Sequence, residues 1–348
     1  MTRSAPARDL LIGTYTTGTK AEGLYWATAN DDGEVRIESC LALDDPSFVV
    51  LHPWLPLAYV VSELPDRDGN VSAIAIDRTR RTMSLRMTVP AGGRLPCHAA
   101  VAGDGGALWV ASYGSGNASV LALDANGMFA AEPFVLQHSG RSRHPRRQAS
   151  PHPHCVVPHP NGRDAYVTDL GTDRIERYRR DGRTVVRLAG TSIAAGAGPR
   201  HLCFAPDRKT AALTCELDNT VRVFAAAEDG ALTERSAISA LPAGFTGRSY
   251  ASEIAMHPTA PMLYAGNRGH DSIACIALAG DSPRLVAHAP TLGAHPRHFA
   301  VSPAGDRLIV GNRDSDNVAS YRVDPQTGTL DMSPKISAVP APACIRWL

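Results

Sequence analysis

One short pattern returns seven times along this chain. It opens on proline or a small residue, runs through a brief apolar strand, turns at Pro or Gly, and enters a second strand. The openings stand at Pro46, Pro96, Pro153, Pro199, Ala251, Pro296 and Pro342. Five of the second strands read Leu57-Ala58-Tyr59-Val60-Val61, Leu108-Trp109-Val110-Ala111, Tyr166-Val167-Thr168, Leu263-Tyr264-Ala265 and Leu308-Ile309-Val310. A third strand follows, as in 219–224 or 317–321, then a loop such as Asp324-Pro325-Gln326-Thr327-Gly328 and an outer strand. The last opening reaches the C-terminus without its second strand. Leu10-Leu11-Ile12-Gly13-Thr14-Tyr15, at the other end, has that missing pattern. A period of about 50 residues with several short strands per unit is the mark of a β-propeller. The expectation is an all-β, seven-bladed β-propeller of one domain, 1–348, four strands to a blade. The N- and C-terminal strands share one blade, which removes free sheet edges. An array of β-sandwiches is the alternative, but tandem domains would each be complete.

The stretch from Ser150 to Asp169 shows the unit at its clearest. Pro151, Pro153 and Pro158 exclude helix, because each lacks an N–H and fixes φ. Cys155-Val156-Val157 predicts one strand and Ala165-Tyr166-Val167-Thr168 the next. Between them, His159-Pro160-Asn161-Gly162 predicts a tight hairpin.

Charge excludes some partners. Lys+Arg is 35 against Asp+Glu 34, a formal net charge of +1. No global field draws the chain to nucleic acid or to an acidic membrane, and neither partner is expected. No apolar run approaches a membrane span. The first residues run straight into a strand with no signal-peptide pattern. The seven cysteines are scattered without a CxxC pair and sit mostly in apolar strand segments. They read as reduced, buried thiols of a cytoplasmic protein, monomeric or weakly self-associating. Their spacing does not suggest zinc, and no cofactor is expected. His152 and His154, at i and i+2, would share one side of a strand and keep a metal site in view.

A ring of repeats allows slot-by-slot reading. The residue after each opening is Ser47, Cys97, His154, Arg200, Ser252, Arg297 or Ala343. The slot ending each second strand holds Tyr15, Glu63, Tyr113, Asp169, Glu216, Asn267-Arg268 or Asn312-Arg313. Equivalent slots point to similar places, so a belt around the central channel carries His154, Arg200, Glu216 and Arg268. Glu63, His98, Asp169 and Arg297 are expected close by as substrate contacts. Mixed charges around a channel are costly to bury unless paired or used. The basic segment 137–148, QHSGRSRHPRRQ, reads as a lid whose Arg147 and Gln148 touch the substrate, or else as a solvated loop. His201 and His298 follow an arginine in their strands, and strict alternation makes them packing residues. His52, His159 and His257 read as turn residues.

The motifs SPHPHCVVPHPNGRDAYVTDLGTDRI, GPRHLCFAPD, CELDNTVRVF, GNRGHDSI and HPRHFAVSPAGDRLIVGNRDSDNV resemble the seven-bladed propeller lactonases. That family includes propeller-type 6-phosphogluconolactonases and 3-carboxy-cis,cis-muconate lactonizing enzymes. The resemblance covers nearly the whole chain, Leu10 to Ile345. It implies an active-site set of His154 in PHPH, Arg200 in GPRH, Glu216 in CEL and Arg268 in NRGHDS. Cys215 stands where the family commonly has Asn.

The residues support that chemistry without the resemblance. Ring opening needs a base to activate water and donors to hold the oxyanion. Glu216 or His154 could be the base, and Arg200 and Arg268 can hold an oxyanion or an anionic substrate. The structural alternative is that these arginines bridge blades and that Glu216 is merely their partner. The expected function is hydrolysis of a sugar-acid lactone, phosphorylated or not. Muconate cycloisomerisation could use the same four groups in the reverse direction. A non-catalytic binding propeller is the remaining reading, although a scaffold needs no such belt.

Overall fold

The second strand of each unit is apolar on both faces because it is covered on both faces. Leu57–Ser62, Ala107–Ser112 and Arg307–Asn312 are buried at every residue, each lying between two neighbouring sheets. The fourth strands show the opposite pattern. Val35–Ala42 and Leu232–Ser239 are exposed or half-buried at every residue after a buried first one, which suits the rim.

The computed structural model describes residues 7–348 except 160, 161, 163, 183, 280 and 281. Among these, 28 strands form seven four-stranded antiparallel sheets. Six sheets take their strands in chain order. The seventh joins Pro342–Trp347 to Arg8–Thr14, then Gly23–Ala29 and Val35–Ala42. Ile12 pairs with Ile345 and Gly13 with Cys344, so the predicted shared blade is present. The only helix among the described residues is a single 3-10 turn, Arg313–Ser315. The hairpin read at 159–162 lies partly outside the described residues. Gly162 is described and has φ +77°.

Blades are clasped by tyrosines. Tyr59 Oη donates to the Gly127 carbonyl at 2.8 Å, and Tyr166 Oη to the Gly230 carbonyl at 2.7 Å. Tyr264 makes the same bond to Gly328. Each phenol starts on one blade's second strand and reaches the outer hairpin of the next. The receiving glycines have positive φ, +76°, +89° and +72°. Turn chemistry thus also sets the blade-to-blade contact.

The innermost strands differ from simple alternation in one repeated way. Their pairing slips just after the opening residue, between Pro46 and Phe48, Pro96 and His98, Pro153 and Cys155, and Pro296 and His298. The slip lies between Pro199 and Leu202 in the fourth blade and between Ala251 and Ile254 in the fifth. Such a bulge lets two successive residues face the channel. The channel is therefore lined in two tiers, not one.

Candidate active site

The upper tier converges on one carboxylate. Glu216 directly follows the strand Thr210–Cys215 and is buried. Its Oε2 accepts from Arg200 Nε at 3.1 Å and pairs with Arg268 Nη2 at 2.6 Å. Its Oε1 pairs with Arg147 Nη2. Three chain segments, two of them in different blades, thus deliver guanidinium groups to one acceptor. The Arg268 guanidinium is further fixed by donating to the Tyr250 and Ala251 carbonyls. Gly269 makes this placement possible. Its φ is +98°, and a Cβ there would stand 2.3 Å from the Arg248 carbonyl oxygen.

A second ion pair faces the first. Arg297 Nη2 donates to Glu63 Oε2 at 3.3 Å, and Tyr15 Oη donates to the same oxygen at 2.6 Å. The Arg297 guanidinium also lies 5.0 Å from the centre of the Tyr15 ring. A cleft of about 800 Å3 opens at this mouth, lined in part by Tyr15, Lys20, Glu63 and Arg313.

His154 stands between these pairs. Its ring centre lies 5.7 Å from that of Tyr113, and Tyr113 Oη accepts from Arg147 Nε at 3.2 Å. The one hydrogen-bond contact of its imidazole among the described residues is Cys97 Sγ, 3.9 Å from Nδ1.

Electrostatics pushes both candidate bases down. Burial would raise the Glu216 carboxyl, but Arg268, Arg200 and Arg147 outweigh it and hold the group well below the usual carboxylate range. Such a carboxylate accepts a proton poorly. His154 is pushed well below the ordinary imidazole range by burial first, then by Arg200, His201, Arg297 and Arg268. It is neutral at physiological pH and carries a free lone pair. Arg200 is pulled down to about 10 by burial and then by Arg268, against the pull of Glu216, and still holds its charge.

Four guanidinium groups share this tier with two carboxylates, so two positive charges are unmatched. Arg200 Nη1 is buried with no hydrogen-bond partner. Arg297 donates to Glu63 alone among the described residues. These N–H groups are available to an anionic or oxygen-rich ligand.

Three residues expected to bind substrate are engaged elsewhere. Asp169 is buried and accepts from the backbone N–H groups of His152, Gly171 and Thr172, while its other oxygen meets His138 Nδ1 at 2.7 Å. It builds the loop at the mouth. Gln148 is also occupied within a loop, accepting from the His144 N–H and donating to the Leu170 carbonyl. His98 belongs to the lower tier. It packs tilted against Phe48, ring centres 4.1 Å apart, and lines a cavity of about 380 Å3 at the opposite mouth. The same bulge undoes the expected His152/His154 pairing. His152 stacks on Tyr113 and meets the Tyr113 carbonyl at 2.9 Å, while His154 sits on the bulged strand.

Other residues were missed in the sequence. Tyr15 and Tyr113 occupy the slot that holds Glu63 and Glu216, so the repeat did contain their signal. Tyr250, 6.0 Å from both Arg147 and Arg268, precedes its opening residue and carries no such signal. His201 and Glu253 sit one tier below His154. Alternation dismissed His201, and only the bulge brings it to the channel.

The chain is 30% identical over 342 residues to the 6-phosphogluconolactonase of Bacillus subtilis, covering 97% of each. It is 26% identical to the 6-phosphogluconolactonase of Formosa agariphila, covering 94% of this chain and 95% of that one. The solved structure of a periplasmic gluconolactonase from Pseudomonas aeruginosa superposes with a TM-score of 0.91. That protein is 30% identical, and 99% of each chain is covered. A family profile described as lactonase, 7-bladed beta-propeller, matches residues 9–347, and the chain belongs to that family.

Proposed function

We propose that this protein hydrolyses the lactone of a hydroxylated sugar acid, with an anionic lactone such as 6-phosphogluconolactone preferred. One observation carries the reading: a neutral imidazole shares a buried tier with four guanidinium groups and only two carboxylates. His154 takes a proton from the attacking water as its oxygen bonds to the lactone carbonyl carbon. Arg200 and Arg268 hold the oxyanion of the tetrahedral intermediate. The ring C–O bond then breaks, and the leaving alkoxide takes the proton back from His154. Glu216 is the anchor that keeps three guanidinium groups together and is not the base. Arg147 and Arg297 attract the anionic part of the substrate.

Seven unpaired cysteines fit a reducing compartment, which supports a cytoplasmic location. No helix of the described residues is long and apolar enough to cross a membrane.

A pH-stat panel of 6-phosphogluconolactone, gluconolactone, galactonolactone and a carboxymuconolactone tests the reading. At least one sugar-acid lactone should be hydrolysed well above its spontaneous rate. Arg147→Ala should raise KM for the phosphorylated lactone by about tenfold and for the neutral one much less, because a cation contributes mainly charge-dependent binding. Equal effects on both would make Arg147 a loop residue only.

A further inference from the structure

Below the reacting tier lies a second set of titratable groups that the chemistry above does not use. Glu253 Oε2 meets His201 Nδ1 at 3.0 Å and His298 Nε2 at 3.0 Å. The Ile254 N–H donates to Glu253 Oε1 at 3.0 Å. His201 and His298 are buried, and Glu253 is nearly so.

The hydrogen bonds assign the protons. The Ile345 N–H donates to His298 Nδ1 at 3.2 Å, so Nε2 of a neutral ring carries the hydrogen and donates to Glu253. The Val156 N–H donates to His98 Nδ1 at 3.3 Å and fixes the same tautomer there. His201 is the reverse. Its Nδ1 donates to the carboxylate, so Nε2 is a bare lone pair. That atom is buried and has no partner in the protein. A carboxylate holding one imidazole nitrogen while the other is left free to take a proton is the arrangement of an oriented base.

The position of this pair suggests its role. The His201 ring centre is 5.2 Å from that of His154, a gap that one bridging water can span for proton transfer. Below, Glu253, His298, His98 and Arg346 line the cavity of about 380 Å3 at the far mouth. Burial, then Arg200, Arg297 and Arg268, hold His201 well below the ordinary imidazole range, so it rests neutral and passes on a proton it receives rather than keeping it.

Lactone hydrolysis at neutral pH releases one proton per turnover. The lactone and water give a carboxylate, an alcohol and H+. The upper mouth is ringed by arginines and filled by the ligand, a poor route for a cation. We propose that His201 and Glu253 form a proton relay that carries this proton from beneath His154 to the opposite mouth of the channel. Once His154 has returned its first proton to the alcohol, it takes the acid proton of the newly formed carboxyl group and passes it to His201 Nε2. The His201 Nδ1 proton passes to Glu253 Oε2, and Glu253 gives it to water in the lower cavity. The pair acts through His154 and so positions and transfers protons without touching the substrate. The proposal rests on the lactonase reading.

Glu253→Gln tests it, since Gln can still accept from His201 but cannot carry a proton. On the lactone that the wild type hydrolyses, kcat should fall by about tenfold or more with KM changed less than about twofold. Raising the concentration of a small imidazole buffer at fixed pH should recover the lost rate in the variant and leave the wild type unchanged. An unchanged kcat, or a loss that buffer does not restore, overturns the relay. If the variant does not fold, the wild-type rate across H2O–D2O mixtures decides. A curved dependence reports more than one proton in transfer and supports the relay, and a straight line overturns it. Absence of any hydrolysis by the wild type would overturn the lactonase reading and this proposal together. Hydrolysis with an unaffected Glu253→Gln would overturn the relay alone.

Discussion

A histidine among arginines serves as a base only if it stays unprotonated, and the surroundings of His154 ensure this. Burial and the cations Arg200, Arg297 and Arg268 all disfavour the imidazolium. The sign has a kinetic consequence. The folded-state pKa lies below the ordinary value of about 6.5, so the base form persists as pH falls through that value. The acid limb of kcat/KM should therefore lie well below pH 6.5, as measured by pH-stat or buffered assay. An acid limb centred at 6.5 or above would remove His154 from this role. Glu216, by contrast, should not appear as a titration within the working range, because three guanidinium groups keep it ionised. The sequence placed both residues in one belt but could not rank them as bases. Arg147, the third cation holding Glu216 ionised, arrives from a loop whose path no repeat slot predicts.

Strands explain both what could be read and what could not. The blade number, the four-strand unit and the closure by 10–14 against 344–345 were legible because they rest on apolar runs and turn residues recurring at one spacing. The bulge in the inner strands was not. Its only trace is the row Phe48, His98, Cys155, His201, Glu253, His298 and Cys344, chemically rich residues where alternation expects packing. Asp169 and Gln148 were read as substrate contacts, and their hydrogen bonds to loop backbone were not legible for another reason. A polar residue that shapes a loop and one that faces a ligand look alike until hydrogen bonds are seen. The closing strand gives a direct stability test. Ile345 is fully buried at the heart of the shared blade, and Ile345→Ala should cost about 3 kcal/mol by denaturant unfolding. Ile336→Ala, on an outermost strand at 39% exposure, should cost less than about 0.5 kcal/mol. Similar costs at both positions would mean that the closing blade contributes no more than the rim.

At the scale of the whole ring, the channel concentrates neutral histidines. His98, His154, His201 and His298 are all held below the ordinary imidazole range, each with burial as the largest cause. Unfolding releases them to water, where they take up protons near pH 6.5 while the folded protein does not. Stability should therefore fall as pH drops below about 6.5, by up to about 1.4 kcal/mol per pH unit for each histidine. Denaturant unfolding at pH 7.5, 6.5 and 5.5 checks this, and a free energy that is flat or rising towards 5.5 would contradict it. The same ring brings distant segments of the chain together at one mouth, and their joint chemistry is most directly tested there. The measurement is acid release from 6-phosphogluconolactone in a pH-stat, wild type against His154→Asn, with both proteins shown to be folded. The wild type should hydrolyse the lactone, and the variant should lose about a hundredfold or more in kcat with KM little changed. Equal rates for the two proteins would contradict the assignment of His154 as the base.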